Sequence, residues 1–121
     1  MKQFKELKHG DTIFAIIGKN RSSIPTFHIG KVIDNHKLVK GSLNISYTIS
    51  DTTDLLYHGH RNAFVNEKES VWYNELRDNC YYTDQETAKL EYKKVLDSRI
   101  EALKEVQKIL IKLEKLRKEV V

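Results

Sequence analysis

The stretch His58-Gly59-His60 carries the residue types most suggestive of chemistry. On a β-strand, side chains two residues apart point to the same face, so both imidazoles could reach one metal ion. A third ligand would have to come from His28, His36 or Cys80, and the spacing supports none of them. A solvated turn is therefore the favoured interpretation, and we predict no metal site and no cofactor.

Cys80 is the only cysteine, so the chain cannot form an internal disulfide, which fits a reducing compartment. It lies near a predicted helix start, where the helix dipole could lower its pKa, but a packed and inert thiol is the more frequent case. The sequence has no Gly-rich phosphate loop, no nucleophile elbow and no spaced pair of carboxylates. Asp51 and Asp54 are interpreted as hairpin residues. We predict no catalytic residues and a protein that is not an enzyme.

Four aromatic residues could stack on bases or hold a peptide: Trp72, Tyr73, Tyr81 and Tyr82. Neighbouring residues of a strand point to opposite faces. We therefore expect either Trp72 or Tyr73 in the core and the other on the surface. For each of the four, packing in the core or at a sheet edge is favoured over ligand contact.

The first half of the chain has the pattern of a small all-β unit. All five glycines and the single proline lie there, between short apolar blocks. Residues 43–50 alternate most clearly, with Leu43, Ile45, Tyr47 and Ile49 on one face. Short strands repeated about every ten residues predict a barrel or sandwich. The predicted strands are TIFAII, FHIGKVID, LNISYTIS, NAFV, SVWY and a short CYY.

The segments HGDTIFAI and HIGKVID together resemble the opening of SH3-like small barrels of the Tudor and KOW type. The matching residues are Gly10, Asp11, Ile13, Gly30 and Val32, and the resemblance covers roughly the first 65 residues. It implies a module that binds peptides or nucleic acid, and it transfers no functional residue because no aromatic cage is recognisable. The later segment YTDQETAKLEYKKVL looks like the tail of small phage and gut-bacterial proteins.

The second half predicts one long helix. In TDQE, Thr83 precedes Glu86 by three residues, the spacing of a capping box. No Gly or Pro follows up to Val121. Leu96, Leu103 and Leu110 repeat every seven residues, which is a coiled-coil-like spacing. Val106, Ile109, Leu113, Leu116 and Val120 widen the same apolar stripe. The predicted fold is α+β: an SH3-like antiparallel barrel over residues 1–82 and an amphipathic helix over 83–121.

The charge of the chain is concentrated in this helix. Residues 1–87 hold 11 basic and 11 acidic side chains, whereas residues 88–121 hold 10 basic and 6 acidic ones, so the whole net charge of +4 lies there. One helix face carries Lys104, Lys108, Lys112 and Lys115, which could follow nucleic-acid phosphates. Glutamates lie among them, and a mixed-charge face is usually a solvated one.

Two arginines, Arg99 and Arg117, fall inside the apolar stripe. Each either extends its charged end out of the stripe or pairs with a carboxylate of a partner and so fixes the register of pairing.

The helix is longer than the barrel beneath it. Its thirty-odd residues span roughly 50 Å, whereas a unit of about 80 residues is about 30 Å across. We expect six apolar residues to extend into water and to bind a partner: Leu103, Val106, Ile109, Leu110, Leu113 and Leu116. The stripe with Arg99 and Arg117 is the predicted interface, in a homo-oligomer or with another protein.

The predicted function is a non-enzymatic protein-binding or assembly module, with a phage structural or accessory role fitting its size and composition. The alternative is a nucleic-acid-binding barrel that uses the lysine face and exposed aromatics. The composition has no run of roughly 20 apolar residues, so no membrane association is expected. The expected location is the cytoplasm of a bacterial or phage-infected cell, or a virion.

Overall fold

The chain folds into a nearly closed six-stranded antiparallel barrel followed by one long C-terminal helix, which confirms the α+β class. The structure is a computed structural model and describes residues 1–21, 24–49 and 60–120. A short 3-10 helix precedes the strands and spans Phe4–Glu6. The strands are β1 (Thr12–Ile17), β2 (Thr26–Lys37), β3 (Ser42–Ile49), β4 (Arg61–Asn66), β5 (Val71–Asn74) and β6 (Asn79–Tyr82), and the helix α1 is Gln85–Glu119. The predicted hairpin residues Asp51 and Asp54 lie outside the described residues.

The sheet order is β4-β3-β2-β1-β6-β5, with every neighbouring pair antiparallel. The six predicted strands match these elements to within a few residues. Strand β3 buries Leu43, Ile45 and Tyr47 on the predicted face, and Ile49 packs against the same core. Strand β2 shifts register between Val32 and Asp34, an irregularity that helps a long strand to bend around a barrel.

Strand β1 contributes side chains both to the barrel interior and to the outer surface on which the helix lies. Its alternate residues Ile13 and Ala15 face the barrel interior, while Phe14 and Ile16 face outward into a second apolar cluster. Tyr81 and Tyr82 of β6 divide between the two clusters in the same way. A strand buried on both faces has a continuous apolar sequence rather than an alternating one. The second cluster is the platform on which α1 lies, and Ala88 of the helix is fully buried in it.

One end of the barrel interior is covered by the segment before β1, which the sequence pattern did not predict. Phe4 and Leu7 are buried in the main core. The Asn35 side chain of β2 donates hydrogen bonds to both of their carbonyl oxygens, at 2.9 and 3.0 Å. The Phe4 amide donates to the Glu69 carbonyl at 2.7 Å. The amino-terminal segment is therefore part of the barrel.

The helix begins one residue later than the capping-box prediction. The N-cap is Asp84, whose carboxylate accepts the Thr87 amide at 2.9 Å and the Thr87 hydroxyl at 2.7 Å. These hydrogen bonds lower the pKa of Asp84. Thr83 was the predicted cap, but its hydroxyl donates to the Lys2 carbonyl at 2.6 Å. The Thr83 side chain therefore ties the helix start to the amino-terminal segment.

Candidate interaction surface of the C-terminal helix

The helix packs on the barrel over its first four turns. The Tyr92 hydroxyl donates to the Pro25 carbonyl at 2.8 Å, and the Tyr92 ring lies 5.5 Å from that of Phe27. Val95 and Leu96 are half-buried. The Arg99 guanidinium donates to the Lys19 carbonyl at 3.1 Å and is the last half-buried residue of the helix. The barrel thus supports α1 up to Arg99.

Beyond Arg99 the helix extends away from the barrel. Every residue from Ile100 to Val120 is exposed. The six predicted interface residues, which we call the tail stripe, are exposed by 48 to 60 % and comprise Leu103, Val106, Ile109, Leu110, Leu113 and Leu116. A contiguous apolar row of this length is unusual on the surface of a monomer. As expected from the two lengths, the helix is longer than the barrel that carries it.

The two arginines of the stripe have different surroundings. For Arg99 the structure shows a contact that neither alternative named, a hydrogen bond within its own chain to the Lys19 backbone at the barrel edge. Arg117 lies one turn from the end of α1, among exposed residues. At 100° per residue it falls within the angular range of the tail stripe, between Leu113 and Leu110. Arg117 is therefore the charge that any partner of the tail stripe would meet.

The lysine face lies on the opposite side of the helix. Lys104 is 3.4 Å from Glu101 and Lys108 is 3.1 Å from Glu105, both as exposed i, i+3 pairs. Such exposed pairs contribute little to stability, but each places a carboxylate beside a lysine that was predicted to contact phosphate. Lys112 and Lys115 share this face and are also exposed. The face therefore carries both signs of charge.

A cleft lies at the junction where α1 leaves the barrel. It is bordered by two residues of the β1–β2 loop and six of the helix: Lys19, Asn20, Glu91, Lys94, Val95, Ser98, Arg99 and Ala102. The loop is held from the other side by Asp78, which accepts the Asn20 amide at 2.8 Å and the Tyr73 hydroxyl at 2.9 Å. The Asn20 side chain also donates to the Tyr73 hydroxyl at 2.6 Å. These hydrogen bonds hold Asn20 against the β5–β6 hairpin.

Among the residues that the structure describes, those considered for catalysis or metal binding do not come together. Cys80 is buried, and burial raises the pKa of its thiol, whereas a nucleophilic cysteine needs a lowered pKa. His28 lies on β2 with its Nε2 2.8 Å from the Thr26 hydroxyl, while His36 and His60 are exposed. His58 lies outside the described residues. Within the described ranges, no three histidine, cysteine or acidic side chains are grouped to hold a metal.

The aromatic residues follow the predicted alternation. Trp72 is exposed by 37 %, whereas Tyr73 is half-buried against the cluster beneath the helix. Tyr81 and Tyr82 are both buried. Trp72 is therefore the member of this group that a ligand could reach.

The fold and the exposed surface together describe a small antiparallel barrel that carries a helical extension with an uncovered apolar stripe. Comparison of the chain with protein-family models, with curated proteins and with solved structures finds no match. In the described part of the chain, no helix is both long and apolar enough to cross a membrane. The exposed part of the helix is the feature of the molecule that points to a function.

Proposed function

We propose that this protein is a non-enzymatic assembly module, in which the tail stripe of α1 pairs with the same stripe of a second copy. The observation that carries the proposal is the exposure of all six tail-stripe residues beyond the last contact with the barrel. The stripe repeats at heptad spacing, which is the pattern of helices that pack against other helices. The same surface can dock on another protein, but the heptad repeat favours a helix of the same kind.

The apolar contribution to pairing is of the size that association requires. Full burial of one such side chain contributes about 1.5–3 kcal/mol, so burying the exposed half of twelve side chains in a pair contributes on the order of 10 kcal/mol. Association costs about 4–15 kcal/mol in lost translational and rotational freedom. At the lower end of this cost the net free energy is about 6 kcal/mol, so we expect a weak dimer with a dissociation constant of roughly tens of micromolar.

Dilution provides the first test of this proposal. A lone helix of about 20 residues without tertiary contacts is only marginally stable in water, so residues 100–119 should fray when the pair dissociates. We expect the circular dichroism at 222 nm to weaken on dilution from about 100 µM to 1 µM, while the near-ultraviolet signal of the barrel aromatics stays constant. A helical signal that is independent of concentration, in samples whose mass falls on dilution, would contradict this prediction.

A second candidate function is nucleic-acid binding, supported by the location of the entire net charge in residues 88–121. Here the lysine face would follow the phosphates and Trp72 could stack on a base. Binding of this kind weakens steeply with salt because counterions are released from the nucleic acid. Titration of a fluorescent duplex and of a single strand at 50 and 200 mM salt distinguishes the two candidates, since pairing through the tail stripe needs no nucleic acid.

The biological setting of such a module is also a proposal. Small size and a lysine-rich composition fit a phage structural or accessory protein, which would use the barrel for recognition and the helix to join copies together. Trp72, exposed by 37 %, is an aromatic side chain on the barrel surface that such recognition could use.

A further inference from the structure

The side of α1 that faces the barrel continues as the tail stripe. Tyr92 and Arg99 contact the barrel, and steps of seven residues from them lead to Val106, Leu113 and Val120. The same steps lead from the buried Ala88 through Val95 and Ala102 to Ile109 and Leu116. A row repeated every seven residues drifts by only about 20° per repeat on a straight helix. The barrel and the tail stripe therefore lie on the same side of the helix.

This arrangement restricts how two copies can pair. In a parallel two-fold pair the helices would face each other through their stripes, and both barrels would have to occupy the same space between the helices at residues 85–99. In an antiparallel pair each barrel lies at the opposite end, beyond the tip of the partner helix. The uncovered length from Ala102 to Val120 is about 27 Å, and two such lengths can face each other without a collision.

The charge within the stripe favours the same orientation. Parallel pairing would place Arg117 of one copy against Arg117 of the other, inside an apolar contact where like charges are poorly screened. In an antiparallel pair centred near residue 111, Arg117 comes level with Glu105 of the second copy. An opposite charge then replaces a like charge opposite Arg117.

The junction cleft completes this geometry. In the same antiparallel register, Val120 of the second copy comes level with Ala102, whose small side chain leaves room beside the cleft. The cleft carries Lys19, Lys94 and Arg99 together with Glu91, whose carboxylate lies 3.3 Å from the Lys94 ammonium. The cleft is thus matched in position to the end of a partner helix.

We propose that two copies pair antiparallel through the tail stripe, with the last turn of each helix lying against the junction cleft of the other. The inference rests on the proposed function, because it assigns an orientation and a second contact to the same pairing. The result is an elongated dimer in which the two barrels lie at opposite ends of a two-helix bridge.

Disulfide trapping tests the orientation in the full chain. In a Cys80→Ala background, Ala102→Cys and Val120→Cys are made singly and oxidised in a glutathione buffer, alone and as an equimolar mixture. We expect no disulfide dimer from either variant alone, because like positions lie about 27 Å apart in an antiparallel pair. In the mixture we expect about half of the chains to form the disulfide dimer, because random exchange of chains between dimers places half of them in mixed pairs. Ile111→Cys, on the outward face, is the matched control and is expected not to cross-link.

The mass under reducing conditions separates failure of the orientation from failure of pairing. Dimeric variants that each cross-link with themselves would overturn the antiparallel orientation and leave the assembly function standing. Dimeric variants that cross-link in no combination would overturn the register that brings Val120 to the cleft. Reduced variants with the mass of one chain, together with an unmodified chain that is also monomeric, would overturn the assembly function itself.

Discussion

Replacing Leu110 and Leu113 together with glutamate is expected to convert the proposed dimer into a monomer. Both side chains lie in the middle of the tail stripe and are more than half exposed in the single chain, at 52 and 57 %. Pairing would bury four carboxylates against apolar side chains, and an unpaired buried charge is strongly unfavourable. We expect the dissociation constant to rise at least about 100-fold, which corresponds to roughly 3 kcal/mol. Light scattering over a concentration series measures the change.

The chain offers a closely matched control for this experiment. Ile111 lies between the two substituted positions and is equally exposed, at 60 %, but it points away from the stripe. Ile111→Glu changes charge and hydrophobicity at one residue in the same way, and we expect it to remain dimeric. If Ile111→Glu dissociates the pair as strongly as the double variant, the tail stripe is not the surface of contact. If neither change has an effect, the pairing does not use this helix.

The second large effect is expected in the barrel, where Gly30→Ala should destabilise the fold. A Cβ atom at position 30 would lie 2.6 Å from Cδ2 of Tyr47 and 2.8 Å from the Thr48 carbonyl oxygen. Tyr47 cannot move aside easily because it is buried in the main core and packs edge-on against Tyr81. Overpacking of this kind costs about 3 kcal/mol, or a fall in Tm of roughly 10 °C or more.

Gly10→Ala is the contrasting variant for this test. Its Cβ would meet nothing within 4 Å, but Gly10 has a φ of +89°, so the cost there is backbone strain of about 1–2 kcal/mol. Urea unfolding of both variants is best measured in the Leu110→Glu/Leu113→Glu background, because pairing adds a concentration-dependent stabilisation. A Gly30→Ala variant at least as stable as Gly10→Ala would show that the Tyr47 ring does not pack over Gly30.

The strands and the helix could be predicted because their signals are local. Alternating apolar residues in β3 and the apolar block of β1 each reflect which sheet faces are buried. The overhang of α1 follows from two lengths, that of an uninterrupted helix and that of the barrel. The exposure of Leu103 to Leu116 was therefore predictable before any contact was known.

Other features depend on contacts between segments far apart in the sequence. Asp84 caps the helix instead of Thr83, because the Thr83 hydroxyl donates a hydrogen bond to the Lys2 carbonyl, some 80 residues away in the sequence. Phe4 and Leu7 close the barrel, and their carbonyl oxygens accept hydrogen bonds from the Asn35 side chain. The 3-10 helix that contains Phe4 has only three residues, which is too short to show a periodic pattern in the sequence. Arg99 has a partner in the Lys19 backbone, which sequence spacing cannot reveal. The direction of the tail stripe relative to the barrel is a property of the packed structure alone.

The most direct measurement is the mass of the unmodified chain in solution across a range of concentrations. Sedimentation equilibrium from about 1 to 500 µM distinguishes a chain of 14.2 kDa from a pair of 28.4 kDa, which is twice that mass. Burial of the tail stripe by a second copy predicts a shift from the first mass to the second over this range. A mass of 14.2 kDa that persists at the highest concentration would contradict the central claim that the exposed helix joins two copies.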